Sequence, residues 1–98
     1  MKYDLKKEND SLIVAVEGEL DVRTSPDFER ALMPELNNIK NVIFDMKGLT
    51  YLSSAGLRVL LAAAKVMNGP KKMTLKNVNE DVREILVITG FINLFNVE

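Results

Sequence analysis

The sequence predicts an α/β fold: a mixed, mostly parallel β-sheet with helices packed against it, in the order β-β-α-β-α-β-α with a short closing strand. Three observations carry this. Short apolar runs alternate with amphipathic stretches along the chain. The first two runs are joined by a tight polar turn, which makes them an antiparallel pair. Each later strand follows a helix, and a strand–helix–strand crossover gives parallel neighbours. Residues 1–98 are expected to form one domain.

Tyr3 to Lys7 reads as an edge strand, and Glu8, Asn9, Asp10 and Ser11 as the turn after it. Leu12 to Gly18 reads as the second strand, with Leu12, Val14 and Val16 on one face and Ile13 and Ala15 on the other. Both faces are apolar, so this strand is expected to be covered on both sides. Gly18 suits a bulge or a close approach. In the first helix Thr24 or Ser25 is the expected N-cap, Pro26 suits the first turn, and Asp27 and Glu29 favour the positive end of the dipole. Phe28, Leu32 and Leu36 recur at i, i+4 and i+8, which gives a buried stripe. Pro34 removes a helical hydrogen bond and should kink or end the helix.

Asn41 to Met46 is a short apolar run suited to a central strand. The helix expected from Ala55 to Met67 is apolar almost all round: Leu57, Leu60, Leu61 and Ala64 share a face, and Arg58, Ala62 and Lys65 form a narrow wet stripe. Another strand starts at Lys72. Asn77 or Asn79 then caps a helix in which Val82, Ile85, Leu86 and Thr89 follow the i, i+3, i+4, i+7 spacing. Gly90 suits the C′ position with Phe91 packing back, and Leu94 to Val97 add the final strand.

Two absences restrict the chemistry. There is no cysteine, which removes disulfides, thiolate chemistry and Cys-type zinc sites. There is no histidine, which removes the usual general base, the usual metal ligand and the Ser-His-Asp arrangement. No catalytic residue, metal or cofactor is expected. The net charge of −1 provides no general field for nucleic acid or an anionic membrane, and the 6% aromatic content includes no basic–aromatic interleaving. The opening MKYDLKKEND lacks the apolar core of a signal peptide. The run LRVLLAAAKVM is broken by Arg58 and Lys65 and is too short to span a bilayer. A cytoplasmic protein is the expectation.

One junction stands out. Ser53 and Ser54 sit where an apolar strand gives way to an apolar helix. A serine there caps the helix, contributing about 1 kcal/mol through a bond to an orphan N–H. The same free N–H groups and dipole also favour a phosphate, which would bring a charge of about −1.5 to −2.

The segment DMKGLTYLSSAGLRVLL, Asp45 to Leu61, resembles the signature of the STAS domain family (sulfate transporters and anti-sigma factor antagonists). That signature is a strand followed by Asp-Ser-Ser/Thr-Gly-Leu entering an apolar helix. Gly18-Glu19-Leu20-Asp21 resembles the family's segment after its second strand, and Thr89-Gly90-Phe91 the one closing its third helix. With the element order, the resemblance covers nearly the whole chain. It places the family's phosphoacceptor serine on Ser54, with Ser53 standing where relatives carry Asp, Ala55 where they carry Ser or Thr, and Gly56 on the family glycine. Ser53 is the alternative acceptor. The extra C-terminal helix of many relatives is not expected.

The resemblance implies an anti-sigma factor antagonist and not an enzyme. Such a protein docks on an anti-sigma factor with serine-kinase activity, is released by phosphorylation at Ser54, and is reset by a PP2C-type phosphatase. No GxxxxGK[ST] phosphate loop is present, so the chain should be the kinase's substrate. The implied docking surface takes in Asp21, Thr24 and Ser25 in one loop, Ser53, Ser54 and Gly56 in the turn, and the edge from Arg58 to Lys65. The alternative is a STAS module of another system, a lipid-transport ATPase subunit or signalling adaptor, working without phosphorylation. Ser53-Ser54-Ala55-Gly56 also faintly resembles a nucleophile elbow, but that motif is Gly-x-Ser-x-Gly and needs a histidine this chain lacks.

Overall fold

The structure is a computed structural model, which describes residues 1–69 and 71–98. Strand β1, Lys2–Glu8, turns at Asn9 and Asp10 into β2, Ser11–Leu20, as an antiparallel hairpin. Asn9 takes the left-handed φ of 55° that this turn needs and that Asn tolerates. Helix α1 covers Ser25–Leu32 and passes into a 3₁₀ turn, Met33–Leu36. The change of helix type falls where expected, because Pro34 has no N–H for the Arg30 carbonyl. Strand β3, Asn41–Leu52, leads into α2, Ser54–Val66, then β4, Lys72–Lys76. Helix α3, Glu80–Thr89, ends at Gly90 in the left-handed conformation, and a 3₁₀ turn, Phe91–Asn93, precedes β5, Asn96–Val97. The closing strand is thus only two residues long, with Leu94 outside it and exposed.

The sheet order is β1-β2-β3-β4-β5, with every pair after the first hairpin parallel. This order corrects one expectation. Each crossover advances one strand in the same direction, so connections of one hand place all three helices on the same face. The register puts Leu12, Val14, Val42, Phe44, Met73 and Leu75 on that face, all buried. The opposite face carries no helix: Ala15 is exposed, Ile13 and Ile43 are half-buried and outside the core cluster, and only Thr74, in register with Ile43, is buried among these residues. Apolar character on both sides of β2 therefore did not mean cover on both sides.

Strand β3 is twice the length expected because two bulges carry it past Met46. Ala15 pairs with Asp45 but Glu17 with Gly48, and Gly18 pairs with Leu49 but Glu19 with Tyr51. Each step adds a residue on β3, so the inward set moves from Val42, Phe44 and Met46 to Leu49 and Leu52. Gly18 lies at the second bulge, as its position suggested.

The helices close the core with Phe28, Leu32, Leu36, Leu60, Val82 and Leu86, all buried. In α2 the inward stripe is Gly56, Leu60, Ala63 and Met67, flanked by Leu57 and Val59. Leu61 and Ala64 are half-buried at the margin, not central as expected. A helix apolar all round has no spacing signal that fixes its inner face; small residues at Gly56 and Ala63 fix it by permitting close approach. In α3, Val82 and Leu86 are buried and Ile85 is half-buried, while Thr89 is exposed with its hydroxyl donating to the Ile85 carbonyl at 2.8 Å.

Candidate switch surface

The two conspicuous loops meet at the C-terminal ends of β2 and β3. The Ser53 N–H donates to the Leu20 carbonyl at 3.0 Å, which fastens the start of α2 to the end of β2. Gly56 makes that approach possible. A Cβ there would lie 2.7 Å from Leu52 Cδ1 and 2.8 Å from the Leu20 carbonyl oxygen. The turn and the loop after Leu20 therefore form one surface.

The two serines divide the work. Ser53 is extended, at φ −91° and ψ 175°, and its Oγ accepts the Gly56 N–H at 3.2 Å. It is the N-cap. Ser54 is the first helical residue; it is exposed, and its hydroxyl makes no hydrogen bond among the described residues. The first turn of α2 holds no acidic residue, so the positive end of its dipole is uncompensated by a carboxylate.

The loop before α1 is organised by Asp21 and not by a conventional cap. Asp21 Oδ1 accepts the Arg23 N–H at 2.9 Å and the Thr24 N–H at 3.1 Å, while Oδ2 lies 3.3 Å from the Arg23 guanidinium. Loss of solvent pulls the Asp21 carboxyl up, but the Thr24 and Arg23 N–H groups and the Arg23 guanidinium outweigh it and hold it below the usual range. Thr24 occupies the N-cap position, yet its Oγ1 accepts the Asp21 N–H and donates to the Glu19 carbonyl, both at 2.9 Å. Its single hydroxyl proton goes to Glu19, the nearer acceptor, with Asp21 Oδ1 at 3.3 Å. Neither Thr24 nor Ser25 caps α1 with its side chain, contrary to the expectation. The Thr24 hydroxyl is instead engaged within the loop, by the Asp21 N–H three residues upstream and the Glu19 carbonyl five residues upstream.

Of the residues singled out in the sequence, Ser53, Ser54 and Gly56 come together with the end of β2 and the Asp21–Thr24 loop. Ser25 and Gly56 are buried, so they shape the surface and present no side chain to a partner. The Asp21 side chain is only 13% exposed and is occupied within the loop. Arg58 follows Ser54 by one turn on the exposed side of α2; Lys65 lies seven residues further, about 10 Å along the axis. The sequence reading missed the outermost side chains. Val22 is 72% exposed at the loop tip beside exposed Arg23, and Tyr51, opposite Glu19 on β3, is 49% exposed. Large apolar side chains inside polar turn segments were the available signal.

Among the described residues no cluster of three acid, His or Cys side chains could hold a metal ion, and no helix is long and apolar enough to cross a membrane.

Comparison with known proteins agrees with this architecture. BtrV of Bordetella bronchiseptica is 31% identical over 99 residues, covering 99% of this chain and 85% of its own length. The anti-sigma-B factor antagonist of Staphylococcus aureus is 29% identical over 86 residues, covering 86% of this chain and 80% of that protein. The structure of the Bacillus cell fate determinant SpoIIAA in the phosphorylated form superposes with a TM-score of 0.79 at 14% identity, covering 99% of this chain and 91% of SpoIIAA. Residues 2–98 match the family model of the STAS domain, and the chain belongs to that family.

Proposed function

We propose that this chain is an anti-sigma factor antagonist that works as a phosphorylation switch at Ser54, with residues 1–98 acting as a single domain. The observation that carries the reading is the division between the two serines. Ser53 is consumed by the cap, and Ser54 offers a free hydroxyl at the head of α2. The names of the relatives support the same reading. Unmodified, the surface around Val22, Tyr51, Ser54 and Arg58 docks on an anti-sigma factor that is also a serine kinase. That kinase phosphorylates Ser54, and a PP2C-type phosphatase restores the hydroxyl.

The geometry explains why a phosphate is tolerated and yet effective. Free N–H groups and the positive dipole end of α2 stabilise added negative charge, so the fold is kept. The charge of about −1.5 to −2 lies on the outside, where the partner must approach, so docking is lost. The test is the affinity of the anti-sigma factor kinase of the source organism for wild type, the phosphorylated protein and Ser54→Asp. Weaker binding by both modified forms, with unchanged circular dichroism, is expected. Equal affinity for all three contradicts the switch.

A further inference from the structure

The charge of the chain is unevenly spread. Residues 46–79 hold Lys47, Arg58, Lys65, Lys71, Lys72 and Lys76, which are six of the 13 cations, and none of the 14 carboxylates. The remainder keeps seven cations against 14 carboxylates, so a segment of +6 is set in a chain that is otherwise −7. Helix α2 lies wholly inside the positive segment.

Its outer side is formed by Ser54, Arg58, Leu61, Ala62 and Lys65, the i, i+4, i+7, i+8, i+11 spacing of one helix face. Arg58 and Lys65 are exposed, and Leu61 and Ala62 are half-buried between them. Neither cation belongs to an ion pair among the described residues, where the ion pairs join Lys6–Glu8, Arg23–Asp21, Arg30–Asp27 and Lys40–Asp10. Lys71 and Lys72 continue the positive strip beside Ala64 and Met67 at the foot of the helix. A single solvated cation needs no explanation. A helix face of one sign, with no carboxylate in α2 to offset it and an apolar step at its centre, differs from the interspersed charge of an ordinary solvated face.

We propose that this face of α2 docks against an acidic surface of the partner protein, and that a phosphate on Ser54 breaks the contact by cancelling Arg58 in the same stripe. The inference rests on the reading of Ser54 as the switch and adds the sign of the surface that reads it. Leu61 and Ala62 supply the dry centre, and the flanking cations supply register and encounter rate. Ser54 and Arg58 stand at i and i+4, within side-chain reach. The phosphate turns the upper half of the stripe from positive to negative, and the partner's carboxylates then meet like charge.

The probe is the anti-sigma factor kinase, titrated by calorimetry at low and high sodium chloride against wild type and R58Q/K65Q. Neither substitution touches the core, and thermal melts establish that the variant is folded. About tenfold weaker binding at low salt, with most of the salt dependence gone, is expected for the double variant. Unchanged or tighter binding by R58Q/K65Q would overturn the inference alone, since it would make the facing surface neutral or basic. Failure of the kinase to bind wild type would remove the functional reading and this inference with it. Wild type that sediments with phosphatidylglycerol vesicles, where R58Q/K65Q stays in solution, would assign the face to a membrane and overturn the proposal.

Discussion

Gly56→Ala is the substitution whose outcome the geometry constrains most tightly. The added Cβ would lie 2.7 Å from Leu52 Cδ1, 2.8 Å from the Leu20 carbonyl oxygen and 2.9 Å from Leu20 Cγ. The Leu52 methyl could rotate, but the Leu20 carbonyl is held by the Ser53 N–H at 3.0 Å. Leu20 and Leu52 are 1% and 2% exposed, so neither has free space to enter. Two effects compete. Alanine favours a helix interior over glycine by about 1 kcal/mol. Overpacking costs about 1–3 kcal/mol, and lifting α2 off the sheet weakens a bond of about 1 kcal/mol. The packing side prevails, for a net loss of roughly 2 kcal/mol, or roughly 10 °C in Tm for a domain of this size. Urea and thermal unfolding followed by circular dichroism read this directly. A variant as stable as wild type, or more so, would show that helix propensity wins. In that case α2 is not pressed on Leu20 and the two loops are not one rigid surface.

Other outcomes follow from the same site and its surroundings. Ser53→Ala should cost about 1 kcal/mol by removing the cap, whereas Ser54→Ala should change the unfolding free energy by less than about 0.5 kcal/mol. The reverse order in urea titrations would put the cap on Ser54. Ser25 is 4% exposed and its Oγ has no hydrogen-bond partner among the described residues. Ser25→Ala should therefore stabilise the fold by about 1 kcal/mol; a lower urea midpoint would mean the hydroxyl is bonded after all. Acid should destabilise the protein with a defined sign. The Asn77 side-chain amide at 2.9 Å and the Lys47 N–H at 3.1 Å hold the Asp45 carboxyl below its usual range, and Asp21 is lowered as well. With folded values below unfolded ones, their stabilisation is complete above the ordinary Asp value of about 4 and is lost as pH falls through the lowered folded values. Asp45→Asn should flatten the fall of the urea midpoint over that range, and a wild-type midpoint that rises on acidification would contradict the sign.

The strand and helix order was legible because each element carries its own local cause: the Asn9-Asp10 turn, Pro34 after α1, Asn79 at the head of α3 and Gly90 at its end. Asn79 accepts the Val82 N–H at 2.8 Å, and its amide donates to the Leu49 carbonyl at 3.0 Å, a second bond that only the folded sheet provides. What was not legible depended on neighbours distant in sequence. The helix-free face follows from the sequential order of the strands, and the bulges of β3 follow from its pairing with β2. The inner face of α2 depends on how closely Gly56 approaches Leu20. At the site, the position of Ser53 and Ser54 was plain from the strand-to-helix junction, but which of them would cap was not. Asp21 looked like a surface group and is instead the organiser of its loop, while Val22 and Tyr51, large apolar side chains in polar stretches of the sequence, carried a signal that a reading for strands and helices passed over.

Mapping the phosphate is the most direct measurement. The proposed switch predicts that incubating the protein with the anti-sigma factor kinase of the source organism and ATP, followed by tandem mass spectrometry, places a single phosphate on Ser54. The label should be absent from Ser54→Ala and retained in Ser53→Ala. Phosphate on Ser53, or labelling that persists in Ser54→Ala, would contradict the division between capping and switching serines.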